Sequence, residues 1–237
     1  MDDLNRESGD VTVVLVHGAW HGSWCWEHVT PLLDAGGVAH VEVDLPFTGH
    51  EHDVAVTRSV LDGVAGPKVL VGHSYGGLVI SGAGEGRSDL AHLVYLCAFM
   101  PDRGETIFDS LSRVEDLPHA KVLDAIRTHE DGTSSIDPAH GVAAFYERCP
   151  AGLADRAIER LRPMHGSSTS ATCLGAPWRS VSSTYVLCEQ DQAIPIEAQR
   201  SMASNATRTV VLDTDHSPFV SRPDETAQLL IDIAHGG

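Results

Sequence analysis

Basic residues are scarce in this chain. Lys and Arg total 16 against 33 Asp and Glu, a formal net charge of −17. A surface of that sign repels nucleic acid and anionic membrane, so neither is expected as a partner. It also disfavours anionic substrates unless a local basic group reverses the field. Cysteine is sparse too. The five residues, Cys25, Cys97, Cys149, Cys173 and Cys188, are odd in number and form no C-x-x-C pair. Cys97 and Cys188 fall in apolar runs, where a free thiol behaves as a small hydrophobe. This argues against a disulfide framework and for a reducing compartment. No apolar run approaches the roughly 20 residues needed to span a bilayer. Met1 to Asp10 is polar and acidic, without the basic start and apolar stretch of a signal peptide. The expected location is cytoplasmic. Internal repeats and low-complexity linkers are also lacking.

What is present is globular composition, with 42% hydrophobic and 21% charged residues over a length that one domain can hold. Val11 to Val16 is a β-branched apolar run of the kind that forms a strand buried on both faces. Further strands are expected at Val38 to Val43, Lys68 to Val71, Leu90 to Phe99, Thr184 to Leu187 and Thr207 to Leu212. Helices are expected at Trp24 to Leu33, Asp53 to Val64, Leu78 to Ala83, Ile196 to Ala203 and Asp224 to Ala234. Strands alternating with helices mean βαβ units and a parallel sheet. The alternation lapses from about 104 to 179, where only helical fragments stand out: Ala120 to Arg127, Pro138 to Tyr146 and Leu153 to Leu161. The chain therefore reads as a single α/β domain over 1–237. Its core covers about 11–103 and 180–237, and a helical cap insertion covers about 104–179. An excursion of that size is expected to cover a site.

The strongest chemical signal is Gly72-His73-Ser74-Tyr75-Gly76. A bare G-x-S-x-G is weak, but this one follows a strand and opens a helix, the context that projects a nucleophilic serine from a tight turn. Residues two before and two after the serine must be small, and Gly72 and Gly76 meet that need. A serine hydroxyl needs a base. In proteins with this turn the order is Ser, acid, His. Of the 14 histidines, His216 follows the last expected strand in Asp213-Thr214-Asp215-His216-Ser217-Pro218 and is the expected base. His235 reads as a surface residue, and His165 lies in the insertion. The acid is expected after the strand Thr184 to Leu187. Asp191 has the best position, Glu189 also qualifies chemically, and Asp102 is the alternative. Asp213 and Asp215 read as turn-formers. Two backbone N–H groups must receive an oxyanion: that of Tyr75, and that of Ala19 in the loop His17-Gly18-Ala19-Trp20-His21-Gly22. Trp20, Gly18 and His73 are the expected substrate-binding residues. No metal site is read from the sequence.

Five stretches carry a family resemblance. They are His17-Gly18-Ala19-Trp20-His21-Gly22-Ser23-Trp24-Cys25-Trp26, Val71-Gly72-His73-Ser74-Tyr75-Gly76-Gly77, Val94 to Pro101, Cys188 to Pro195 and Asp215 to Pro218. Together they resemble the methylesterase and hydroxynitrile lyase branch of the α/β-hydrolases, including bacterial esterases of that branch. The resemblance spans nearly the whole chain. It implies a mostly parallel central sheet of about six strands, a compact helical cap, a Ser74–Asp191–His216 triad and no cofactor. The lyases of the branch carry threonine in place of Gly18 and a lysine just after the catalytic histidine, where this chain has Ser217. Without that ammonium the site resembles an esterase. The expected activity is hydrolysis of a small or moderately sized carboxylic ester through an acyl-enzyme. The alternatives are a hydroxynitrile lyase, a C–C bond hydrolase or lyase, a natural-product esterase or cyclase, and a non-enzymatic binding module. The expected partner is a small-molecule ester, and a homodimer is left open.

Overall fold

The apolar runs of the core become strands in the order that the alternation requires. The computed structural model describes residues 11–237; the polar start, Met1 to Asp10, lies outside the described residues. Along the chain come β1 (Thr12–Val16), α1 (Thr30–Ala35), β2 (Ala39–Val43), α2 (His50–Gly63), β3 (Lys68–His73), α3 (Gly76–Gly84) and β4 (Leu90–Leu96). The insertion holds α4 (Ile107–Ser112), α5 (Val122–Ala125), β5 (Ile126–Thr128), β6 (Thr133–Ile136), α6 (Pro138–Phe145), α7 (Ala151–Glu159) and β7 (Met164–His165). The core resumes with β8 (Ser183–Cys188), α8 (Ile196–Ala203), β9 (Arg208–Leu212), α9 (Pro218–Ser221) and α10 (Pro223–Ala234).

Six strands form one parallel sheet in the order β2-β1-β3-β4-β8-β9. The order follows polarity. Every residue of β3 and β8 is buried, as central strands covered on both faces require. The edge strands interleave polar residues: His40 and Glu42 in β2, Arg208 and Thr209 in β9. No helix among the described residues is long and apolar enough to cross a membrane.

Three expectations need adjustment. The helix expected over Trp24 to Leu33 splits into a 3₁₀ turn, Ser23–Trp26, and α1. Pro31 sits in the first turn of α1, where its missing N–H leaves no bond unmade. The fourth strand ends at Leu96 rather than Phe99, because Cys97 turns the chain with φ +37°. The cap is not wholly helical. Most of the helix expected at Ala120 to Arg127 is only the single turn of α5, after which β5, β6 and β7 pair as a small antiparallel sheet.

The cap is tied down at the carboxyl ends of the core strands. Arg162 N–H donates to Trp20 O (2.7 Å) and His165 N–H to Phe47 O (3.0 Å), in the loops after β1 and β2. Arg148 N–H donates to the buried Asp215 carboxylate in the loop after β9 (2.7 Å). The site therefore lies between those loops and the cap.

Candidate active site

The turn from β3 to α3 shows why three glycines surround Ser74. A Cβ on Gly72 would meet Gly76 O at 2.6 Å, one on Gly76 would meet Val16 O at 2.7 Å, and one on Gly77 would meet Phe99 O at 2.1 Å. Backbone fills the space where side chains would go. Ser74 itself takes φ +53°, a left-handed conformation that a non-glycine residue holds only when its surroundings dictate it. They do: Ser74 N–H donates to Leu96 O (3.3 Å), and Ser74 O accepts from Gly77 (3.0 Å) and Phe99 (3.1 Å).

His216 sits on the loop after β9 and is buried. Its Nδ1 lies 2.6 Å from Asp191 Oδ2. The carboxylate can only accept, so Nδ1 carries a proton and Nε2 is the nitrogen left to act as base. Asp191 is held on every side. Its Oδ1 accepts from the amides of Ala193 (2.7 Å) and Ile194 (2.9 Å), and Oδ2 also accepts from Gln199 Nε2 (2.8 Å). Gln199 in turn donates to Ile194 O (2.8 Å) and accepts from Cys188 N–H (3.0 Å). Gln199 was not foreseen. Its only trace in sequence is a polar residue on the face of α8 that the core buries.

Of the other acids, Asp102 pairs with Arg179 near the surface and Glu189 is exposed. Asp213 pairs with Arg148 at the surface. Asp215 does more than form a turn. Besides Arg148 N–H, its carboxylate accepts from Ser217 N–H (3.1 Å) and Ser221 Oγ (2.9 Å), which links cap and histidine loop. His235 is exposed on the last helix, and His165 lies in the cap sheet.

Among the described residues, the amides of Ala19 and Tyr75 donate to no protein group. Each is aimed from behind. His17 Nδ1–H donates to Gly18 O (2.9 Å), and its Nε2 accepts from Leu45 N–H (3.0 Å). A planar trans peptide sends N–H and C=O in opposite directions, so fixing Gly18 O fixes Ala19 N–H. Burial lowers the pKa of His21 to about 3. It is therefore neutral: Nδ1–H donates to Ala19 O (2.7 Å) and Nε2 accepts from Tyr146 O–H (2.7 Å). The Tyr75 side chain is buried and donates to Asp53 Oδ2 (2.6 Å). Burial raises the Asp53 pKa, and the Tyr75 bond opposes that rise.

The three residues expected to bind substrate divide. Trp20 walls the cavity, with Nε1–H on Ser134 Oγ of β6 (3.1 Å). Gly18 and His73 lie behind Ser74, outside the cavity lining. A Cβ on Gly18 would meet His73 Nδ1 at 2.7 Å and Ser74 Cβ at 2.9 Å. His73 Nε2–H donates to His216 O (2.8 Å) and so tethers the histidine loop. Burial, and then the neighbouring His216, hold its pKa well below the usual value.

Among the described residues one cluster, His73, Cys97 and His216, brings metal-ligating atoms within 4.8 Å of one another. Its groups are otherwise engaged. His73 holds His216 O, His216 holds Asp191, and burial keeps the Cys97 thiol protonated.

Ser74, His216, Ala19 and Tyr75 share the wall of a cavity of about 630 Å³. Phe145 of α6 also lines it, with its ring 5.7 Å from that of His216. Tyr146 and Met164 are buried in the cap core, and Trp178 donates to Pro101 O, off the lining.

The chain is similar to known proteins over nearly its whole length. The Alpha/beta hydrolase family profile matches residues 13–229. Methylesterase 7 of Arabidopsis thaliana is 30% identical, over 99% of this chain and 98% of its own. Solved structures of a pyrethroid hydrolase (TM-score 0.83, 23% identity, 96% of this chain and 98% of that one) and of polyneuridine aldehyde esterase (TM-score 0.82, 23% identity, 95% and 99%) share the fold. The chain belongs to the alpha/beta hydrolase family, in its methylesterase-like branch.

Proposed function

We propose that the protein is a serine-dependent carboxylic ester hydrolase that works through an acyl-enzyme. The observation that carries this reading is the Asp191-bound His216 sharing a cavity wall with Ser74, beside two unengaged amides. His216 Nε2 takes the proton of Ser74 as Oγ attacks the ester carbonyl. The amides of Ala19 and Tyr75 receive the oxyanion, assisted by the positive end of α3. His216 returns the proton to the leaving alcohol. It then deprotonates a water, which releases the carboxylic acid and restores Ser74. No metal or cofactor enters this scheme. A small-molecule ester is the partner it requires. The methylesterase name of a relative over nearly its full length supports the reaction class.

The lyase alternative is weaker here. Ser217 supplies no ammonium for a departing cyanide, and threonine in place of Gly18 would collide with His73. A cytoplasmic setting belongs to the same reading, supported by five free cysteines.

The test is turnover of short aryl and methyl esters together with labelling by a fluorophosphonate. Wild type is expected to hydrolyse the esters and label once, and folded Ser74→Ala to do neither. Equal rates in the two proteins would sink the proposal.

A further inference from the structure

The cavity above Ser74 is far larger than the attacking hydroxyl needs. At about 630 Å³ it is of the size that encloses a drug-sized ligand. Its wall carries no Asp, Glu, Lys or Arg among the described residues. The polar side chains that reach it are hydroxyls, His216 and His119; His119 already pairs with Asp124 at the exposed rim (2.9 Å), and Ser134 Oγ accepts from Trp20. Among the described residues, Phe108 and Leu123, at 60% exposure each, are two of the three exposed large hydrophobic residues, and both also line the cavity. Apolar side chains left in water on a cavity rim mark a binding mouth. A charged substrate would have to shed its hydration at this mouth with no counter-charge inside, and the net charge of −17 adds a repulsive field for an anion.

From these features we infer that the substrate is a neutral, largely apolar ester with at least one bulky or extended arm. The arm occupies the cavity formed by α4, α5 and the cap sheet. Small acetate-like esters and esters bearing a free carboxylate are poor substrates. This inference rests on the ester-hydrolase reading of Ser74.

Three para-nitrophenyl esters separate the two claims: the acetate, the octanoate, and the monoester of suberic acid, which places a carboxylate at the far end of an eight-carbon chain. At up to about fourfold per buried methylene, kcat/KM for octanoate is expected to exceed that for acetate by at least about tenfold. The suberate monoester is expected to fall at least about tenfold below octanoate. Leu123→Glu places a charge at the mouth, on a side chain 60% exposed, and, with Tm checked against wild type, is expected to lower the octanoate-to-acetate ratio. Acetate turned over as well as octanoate, or suberate as well as octanoate, overturns the inference while the esterase reading stands. So does an unchanged ratio in Leu123→Glu. Failure of wild type to turn over any of the three, with Ser74→Ala indistinguishable from it, overturns both.

Discussion

Gln199 is the residue whose removal separates positioning from chemistry. It does not line the cavity, yet it holds the carboxylate oxygen that orients His216. Gln199→Leu roughly keeps the volume and removes all three side-chain hydrogen bonds. Supports of this kind typically cost about 10- to 100-fold when lost. The expected result is a kcat lower by that factor, KM little changed, and an acid limb of the kcat/KM profile moved from its wild-type position. A merely structural residue would lower Tm and leave the profile of the surviving enzyme in place. His17 and His21 act at the same scale on Ala19, through the carbonyls on either side of it. Ser74, Asp191 and His216, which the structure brings to one site, were legible because each sits in a loop with a local signature. The residues that hold them carry no such signature: Gln199 reads as one more polar residue of a helix although its partners lie within eleven positions, and Tyr146 meets His21 only across the fold.

Among the elements, the joint between cap and histidine loop is the most exposed to a single change. Asp215 accepts from Arg148 on the cap, from Ser217 on its own loop and from Ser221 at the end of α9. Asp215→Ala removes the acceptor of the buried Ser217 N–H and of the part-buried Arg148 N–H, at about 1–3 kcal/mol for each unsatisfied group, while Ser221 Oγ keeps Ser217 O. The expected outcome is a lower midpoint in urea unfolding and earlier proteolytic cleavage in the cap than in the core. The core strands were legible because each is a continuous apolar run between turn residues. The cap sheet was not. Its strand Ile126–Thr128 is three residues long and Met164–His165 two, and the latter pairs with Thr133–Ser134 about thirty positions earlier in the chain. Polar Thr133-Ser134-Ser135 shows no alternation to mark β6. Only tertiary pairing makes these segments strands.

For the molecule as a whole, buried histidines set the response to acid. Burial lowers His21 to about 3 and His50 to about 4, both from an ordinary 6.5. Between those values and 6.5 the unfolded chain binds protons that the folded chain refuses. Stability is therefore full above about pH 6.5 and declines as pH falls, at up to about 1.4 kcal/mol per pH unit for each such histidine. Tm is expected to drop steadily from pH 7 to pH 4. His21→Gln is expected to start lower at pH 7 but to fall along a shallower line. A pH-independent Tm over that range would contradict the assignment.

More than half of the residues that line the cavity come from one continuous stretch, Ile107 to Ser134, while Ser74, Asp191 and His216 come from the core on either side of the insertion. Reaction and selection are thus inherited on separate lengths of chain. Changes within that stretch alter the wall a substrate meets and leave the chain segments that carry Ser74, Asp191 and His216 as they are. One scaffold can in this way acquire a new diet while keeping its teeth.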